Sequence, residues 1–368
     1  MKIINIVDRI DNVNFGIWNA AIFTANILKE KYGFESEIWF PNYKELPNNK
    51  EFYGALPLAL DDLSVKNCEY LITSKSLDPK NTVIITHGVW RFPTRWGYCL
   101  KKHGFIWIYT PHGMLEPWGM KNKWLRKFIY FNFKEKIMVK SADLVRAVSS
   151  VEQGNLDKYF KNKTILIPNG THSFKSQPII QKPKPYEILF LGRLNFKKSV
   201  LQLIEAFVES NLFLNNDFKL KVVGPDDGEL INIQNFINKL HNQYINLEIV
   251  PKSIRGQEKF DLLKNASFFI LPSQSEGFPT SVVEAGMNGA IPIITDECNF
   301  PELFNNGLGI KTGFTKNSIL NTLNSLPDFI KNHNIVDIQT STVDFFLKNY
   351  STEKIAEMQH DIICRFIM

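Results

Sequence analysis

Glu276 and Glu284 stand eight residues apart in Leu271–Thr295, which reads LPSQSEGFPTSVVEAGMNGAIPIIT. A carboxylate is an acceptor-only group and takes two vicinal sugar hydroxyls well. Between the two acids lies Gly277-Phe278-Pro279-Thr280-Ser281, a turn that leads into a short helix. Pro279 fits just before or at the first helical turn, and Thr280 or Ser281 can cap it. Such a helix start offers free N–H groups and the positive end of the helix dipole, a natural seat for phosphate. An acid one turn into that helix would repel a bare anion, so it should face hydroxyls beside the phosphate. The ligand implied is a phosphate flanked by sugars, a nucleotide sugar. The plainer alternative has Glu276 capping a turn and Glu284 favouring the helix start.

Basic residues suited to the same ligand lie upstream. Gly192-Arg193-Leu194-Asn195-Phe196-Lys197-Lys198-Ser199 follows an apolar run and precedes a helical pattern. An Arg fork binds two phosphate oxygens and a Lys adds charge, although isolated basic residues are usually just solvated. In the first half, Gly16 closes Asn12-Val13-Asn14-Phe15-Gly16 at a strand-to-helix turn, where glycine lets backbone approach a phosphate or merely serves the turn. His112 lies in Thr110-Pro111-His112-Gly113-Met114-Leu115-Glu116-Pro117-Trp118, at the carboxyl end of a strand. A loop histidine is often inert, but this end of an open sheet is where ligands bind. His87-Gly88, also after a strand, is a second pocket candidate.

Glu276-Gly277-Phe278-Pro279-Thr280-Ser281-Val282-Val283-Glu284-Ala285 resembles, without gaps, the Glu-x7-Glu signature of the family-4 retaining glycosyltransferases. The resemblance covers nearly the whole chain and implies the GT-B fold, two Rossmann-like doubly wound domains facing across a cleft. It implies that Arg193 and Lys198 clamp the donor diphosphate, with Ser199 where glycine is usual. The stretch Gly277 to Ser281 with Glu284 then binds the nucleotide sugar. His112 and Glu276 are placed at the transferred sugar and Glu284 on the ribose. A Gly-Gly pair usually occupies the first strand-to-helix loop; Phe15 replaces the first glycine, so only Gly16 is carried over. The implied reaction is same-face transfer to a glycan or lipid-linked oligosaccharide acceptor, in O-antigen, capsule or exopolysaccharide biosynthesis. No Asp-x-Asp occurs, so no metal or cofactor is expected, and positive charge should stabilise the leaving diphosphate. A sugar-nucleotide epimerase and a catalytically silent sugar-nucleotide-binding protein share the fold and stand as alternatives.

These residues need a scaffold of alternating strands and helices. Strands are predicted at Ile3–Val7, Glu37–Phe40, Val83–Thr86, Ile106–Tyr109, Leu144–Ala147 and from Thr164 on. In the second half they are predicted at Glu187–Leu191, Leu220–Val223, Ile245–Val250, Phe268–Leu271 and Ile291–Ile294. Helices are predicted over Ile17–Lys31, Val200–Ser210, Leu230–Gln243, Gln257–Lys264 and Ser351–Phe366, the last capped by Ser351. Residues 1–172 form the first domain and 173–186, rich in polar residues and proline, a linker. Residues 187–345 form the nucleotide-sugar domain, and 346–368 a helical segment crossing back to the first.

The chain has 368 residues, 44% hydrophobic and 22% charged, which suits a globular enzyme of about two domains. No apolar run approaches a membrane span or a signal peptide. Cys68, Cys99, Cys298 and Cys364 lack paired or metal-like spacing, so reduced thiols in a cytoplasmic protein are expected. The net charge of +6 is uneven: residues 91–140 carry eleven basic side chains against Glu116 and Glu135. Within that segment Trp118–Lys140 reads as amphipathic, with Lys123, Arg126, Lys127 and Lys134 on one stripe. Trp124, Leu125, Phe128, Ile129 and Phe131 form another. The ordinary reading puts the apolar stripe in the core. The other docks it on anionic lipid, holding the enzyme peripherally at the inner face of the plasma membrane. Nucleic acid is not expected, because no binding motif accompanies the charge.

Overall fold

The computed structural model describes residues 1–10, 15–42, 52–121, 123–171, 180, 182, 184–240 and 246–366. The chain divides into two compact units, Met1–His172 with Tyr350–Met368, and Ser173–Asn349. Each is built on one parallel sheet, as alternating strands and helices require.

The first sheet contains β1 (Lys2–Val7), β2 (Glu35–Pro41), β3 (Leu56–Leu60), β4 (Thr82–His87), β5 (Ile106–Thr110), β6 (Leu144–Ala147) and β7 (Thr164–Leu166). Its order is β3-β2-β1-β4-β5-β6-β7, so the winding reverses between β1 and β4. Successive strand residues point to opposite faces. Ile4, Ile6 and Ile84 join Trp39, Trp96, Trp107 and Tyr109 in one core. Ile3, Val83, Ile85 and Ile108 meet Ala356 and Ile363 in another. Those two residues belong to the helix Thr352–Cys364, whose N-cap Ser351 accepts from the Lys354 N–H. This helix is therefore part of the first unit, and the exchange from the second comes at Tyr350 rather than at residue 346.

The second sheet contains β8 (Tyr186–Leu191), β9 (Phe218–Val223), β10 (Leu247–Val250), β11 (Phe268–Leu271), β12 (Ile291–Ile294) and β13 (Ile310–Lys311). Its order is β10-β9-β8-β11-β12-β13, with the reversal between β8 and β11. Both strands of the Leu271–Thr295 stretch are fully buried, which explains their continuous apolar runs.

Several expectations need correction. The helix predicted over Ile17–Lys31 is two, Phe15–Ile22 and Ala25–Tyr32, broken at Phe23-Thr24, where Thr24 Oγ1 donates to Gln359 Oε1 at 2.7 Å. Gly16 consequently sits inside the first helical turn, exposed, with nothing within 4 Å of an added Cβ. Asn12–Asn14 of its loop, residues 173–179, 181 and 183 of the expected linker, and 241–245 lie outside the described residues. Pro279 occupies the N-cap position of the helix Thr280–Met287 and gives it no side-chain cap, so neither Thr280 nor Ser281 is the capping residue. The 118–140 segment is, as expected, helical over much of its length, in consecutive pieces. It runs as Pro117–Lys121, Trp124–Tyr130, a π-helical turn Phe131–Glu135, and Lys136–Val139. Phe131 and Glu135 turn inward, while Trp124, Leu125, Phe128 and Ile129 are 49–64% exposed, so the ordinary core reading of that stripe fails.

Candidate functional site

Two clusters stand at the carboxyl ends of the strands, each beside its sheet's reversal point, where open sheets of this kind bind ligands. In the second unit, β8 ends into Gly192-Arg193 and β11 into the loop carrying Glu276. The β8 turn is held by close approach. A Cβ on Gly224 would lie 1.7 Å from the Gly192 carbonyl oxygen, so only glycine fits after β9. The Leu194 N–H then donates to the Pro225 carbonyl at 2.9 Å. Arg193 Nη1 reaches Asp227 Oδ2 at 2.6 Å, both side chains exposed.

Ser199 explains why glycine suits its place. Its φ of 51° and ψ of 39° lie in the left-handed region, at the junction between the 3-10 turn Phe196–Lys198 and the helix Val200–Glu209. This junction turns Lys198 inward against Glu276 Oε1, the two side chains 19% and 12% exposed. The Gln274 N–H donates to the Lys197 carbonyl at 2.8 Å and Asn299 Nδ2 to the Glu276 carbonyl at 2.6 Å, tying both loops together. Burial is the first cause holding the Lys197 ammonium below its ordinary range, with Arg193 next. Glu284, one turn into its helix, pairs with Lys259 at 2.6 Å. Phe278 packs on Phe300, with ring centroids 5.5 Å apart. Ser273, at the end of β11, is fully buried, and its Oγ has no hydrogen-bond partner among the described residues. The structure thus gathers Arg193, Lys198, Glu276, Gly277 to Ser281 and Glu284 in one unit. Lys259, Asp227 and Asn299 join them without having been singled out from sequence.

The first unit's cluster centres on His112. Its φ is 55° and that of Gly113 is 75°, a left-handed pair in a loop where a non-glycine residue is uncommon. The Gly113 N–H donates to Glu152 Oε1 at 2.5 Å, and the Val148 N–H to Glu152 Oε2 at 2.8 Å. Ser149 Oγ accepts from the Glu152 N–H at 3.1 Å, so a Ser-x-x-Glu capping pair anchors the loop. That motif was legible in the sequence and points to Glu152. Burial pushes the Glu152 carboxyl up to about 7. His87, the last residue of β4, meets His112 at 2.9 Å and Asn5 of β1 at 3.2 Å. Burial, with the nearby Arg146 guanidinium, lowers His112 to about 3 and drives His87 well below its usual range. Both rings are therefore neutral at physiological pH.

A cavity of about 270 Å³ lies in the same unit, lined by Leu115, Pro117, Met120, Trp124, Phe128, Asn155, Lys158 and Tyr159. Two of its walls, Trp124 and Phe128, belong to the exposed aromatic stripe. Asn155 also donates to Glu116 Oε2 at 2.7 Å.

Comparison with known proteins bears on family and fold. Residues 173–321 match the family described as glycosyl transferases group 1. An uncharacterized glycosyltransferase of Methanocaldococcus jannaschii is 28% identical over 298 residues, 79% of this chain and 72% of the relative. A second from that organism is 31% identical over 179 residues, 44% of this chain and 42% of its own. Among solved structures, Anabaena HepE in complex with UDP and glucose superposes with a TM-score of 0.70 at 14% identity, covering 99% of this chain and all of the other. Sucrose-phosphate synthase from Thermosynechococcus elongatus gives 0.73 at 15%, covering 100% and 99%. A lipopolysaccharide outer core galactosyltransferase in its apo form gives 0.69 at 16%, covering 99% and 100%. The fold is GT-B, and residues 173–321, in the second unit, are similar to the glycosyl transferases group 1 family.

Proposed function

We propose that the protein is a retaining, metal-independent hexosyltransferase that moves a sugar from a nucleotide donor to a glycan or lipid-linked acceptor in surface-polysaccharide biosynthesis. The observation that supports this most is the Glu276 and Glu284 pair, each carboxylate already matched to a lysine, at the reversal point of the second sheet. An incoming diphosphate competes for Lys198 and Arg193, which leave Glu276 and Asp227 for it. Glu276 is then free to accept hydroxyls of the transferred sugar and Glu284 those of the ribose. The start of helix Thr280–Met287, with Gly277 to Ser281 before and within it, adds the dipole's positive end. Charge on the leaving diphosphate is met by Arg193 and Lys198, and the departing phosphate helps take the acceptor's proton. On the family resemblance alone, His112 would contact the transferred sugar and Gly16 the diphosphate. That a HepE structure holds UDP and glucose fits a nucleotide-sugar donor.

The exposed stripe of the first unit supports a lipid-linked acceptor. Phe133 and Ile137 are 71% and 57% exposed and extend the row of Trp124, Leu125, Phe128 and Ile129. Lys121, Lys123, Arg126, Lys134 and Lys140 are exposed around it. Apolar side chains ringed by basic ones suit an anionic bilayer surface: each basic group contributes roughly 1 kcal/mol near it, and each apolar side chain about 1.5–3 kcal/mol if fully buried. The 270 Å³ cavity behind Trp124 and Phe128 can take an apolar portion of the acceptor. No helix among the described residues is long and apolar enough to cross a membrane, so attachment would be peripheral.

Two measurements test the reading. Titration with UDP-, GDP- and ADP-sugars should find one donor family that binds, and binds more weakly to Glu284→Gln. Vesicles containing phosphatidylserine should retain the parent at low salt and release a Trp124→Ser, Phe128→Ser, Phe133→Ser variant. Parent protein that ignores such vesicles removes the support for a lipid-linked acceptor.

A further inference from the structure

The hydrogen bonds that end at His112 run in one direction. Asn5 Nδ2 donates to the Glu37 carbonyl at 3.3 Å, so Oδ1 is the amide atom that faces His87 Nε2 at 3.2 Å. An amide oxygen only accepts, and His87 therefore carries hydrogen on Nε2. If His87 is neutral, its Nδ1 is a lone pair, and His112 Nε2, 2.9 Å away, must supply the hydrogen between them. The rings lie side by side, centroids 5.1 Å apart and planes 23° from parallel, as an in-plane N–H···N bond needs. One atom is left over. His112 Nδ1 is a bare acceptor, buried and without a hydrogen-bond partner among the described residues.

Two protonated arrangements would satisfy the same contacts, one with an imidazolium at His87 and one at His112. Each would bury a cation near the Arg146 guanidinium, itself 2% exposed and spent on the carbonyls of Ile167 and Pro168. No carboxylate hydrogen-bonds to either ring among the described residues; Glu152 is turned to the Gly113 and Val148 N–H groups instead. Burial and the Arg146 charge disfavour both cations. The backbone is equally constrained, since Glu152 pins Gly113 beside a histidine already in the left-handed region.

We infer that Asn5 and His87 are positioning residues that hold His112 as its Nε2–H tautomer, so that Nδ1 offers a lone pair to a hydroxyl of the ligand. The inference rests on the proposed placement of His112 at the sugar and refines it. A hydroxyl hydrogen satisfies the orphaned nitrogen, whereas a carboxylate or phosphate oxygen would face it lone pair to lone pair. The sugar group read at this position is therefore a neutral hydroxyl.

The test uses the full chain labelled with 15N-histidine, signals being assigned by their loss in single variants. His87 and His112 should each show a protonated Nε2 and a bare Nδ1, unchanged from pH 5.5 to 8. Asn5→Asp places a carboxylate against His87 Nε2, favours the imidazolium there, and should move the His112 hydrogen to Nδ1. In donor turnover, His87→Phe should lose as much as His112→Ala within about twofold, and the double variant should lose no more. His87→Asn, whose Oδ1 falls where Nδ1 stands, should recover part of that loss. A hydrogen on His112 Nδ1 in the parent overturns the inference, as does parent turnover in His87→Phe when His112→Ala is impaired. Parent turnover in His112→Ala would instead overturn the placement of His112 at the sugar, whatever its tautomer.

Discussion

Lys198→Ala separates two consequences of one ion pair. Without ligand, Lys198 neutralises Glu276, and the side chains are 19% and 12% exposed. Breaking a buried pair costs about 3–5 kcal/mol and an exposed one about 0–1 kcal/mol, which puts this loss at about 2 kcal/mol. For a domain of this size the melting temperature should fall by roughly 4–8 °C. Donor binding loses a charge-assisted phosphate contact, about 1.5–3 kcal/mol, or roughly 10- to 150-fold in Kd. Adding Glu276→Gln to Lys198→Ala leaves no stranded carboxylate, so most of the stability should return. The nucleoside diphosphate affinity should not. Glu276→Gln alone releases Lys198 to the phosphate. It should bind the nucleoside diphosphate at least as well as the parent while binding the nucleotide sugar more weakly. Thermal unfolding of the ligand-free variants and calorimetry with both ligands separate these effects. Parent affinity for the nucleoside diphosphate in Lys198→Ala, or its recovery in the double variant, would refute the assignment of Lys198 to phosphate.

Arg193 and Asp227 form an exposed pair, so Arg193→Ala should leave stability within about 1 kcal/mol of the parent. It should nonetheless weaken nucleoside diphosphate binding at least tenfold by calorimetry, while Asp227→Asn, which frees the guanidinium, should strengthen it. Gly224→Ala drives a Cβ into the Gly192 carbonyl oxygen and should cost more than about 2 kcal/mol, lowering the melting temperature and diphosphate affinity together. His112 sets an acid limb. Its folded pKa, lowered to about 3, lies below the unfolded value near 6.5, so its contribution is present above about pH 6.5 and lost as pH falls toward 3. Between pH 7 and pH 5 the parent should lose about 2 kcal/mol more than His112→Asn in denaturant unfolding. Equal losses would contradict a neutral buried ring.

Much of the second unit was readable because its signals are local. β11 and β12 are uninterrupted apolar runs bounded by turn residues, and their observed limits match the predicted ones. β3, Leu56-Pro57-Leu58-Ala59-Leu60, escaped because it is short and mostly exposed or half-buried, without the continuous buried run of a central strand. Its proline is tolerated on the sheet edge where this strand lies. Asn5 was hidden inside Ile3–Val7, where only the neighbouring strands show what a buried amide would bond. Lys259 and Asp227 reach their partners 25 and 34 residues away, separations that no spacing rule reports. The exposed stripe was open for a different reason. An amphipathic period has the same form whether its apolar side meets a core or a membrane, and the observed exposure of Trp124, Phe128 and Phe133 excludes the core. The Ser149-x-x-Glu152 pair, by contrast, was available from the start and pointed to the residue that anchors the His112 loop.

The central claim is transfer from a nucleotide sugar with the anomeric configuration kept. It is tested most directly by incubating the protein with its best-binding nucleotide sugar and membrane lipid-linked acceptors, then reading the product's anomeric proton by NMR. An α-linked donor should yield an α-linked product with one nucleoside diphosphate released per sugar transferred. An inverted product would contradict retention. A sugar nucleotide converted to an isomer with no acceptor present, and no diphosphate released, would show an epimerase instead.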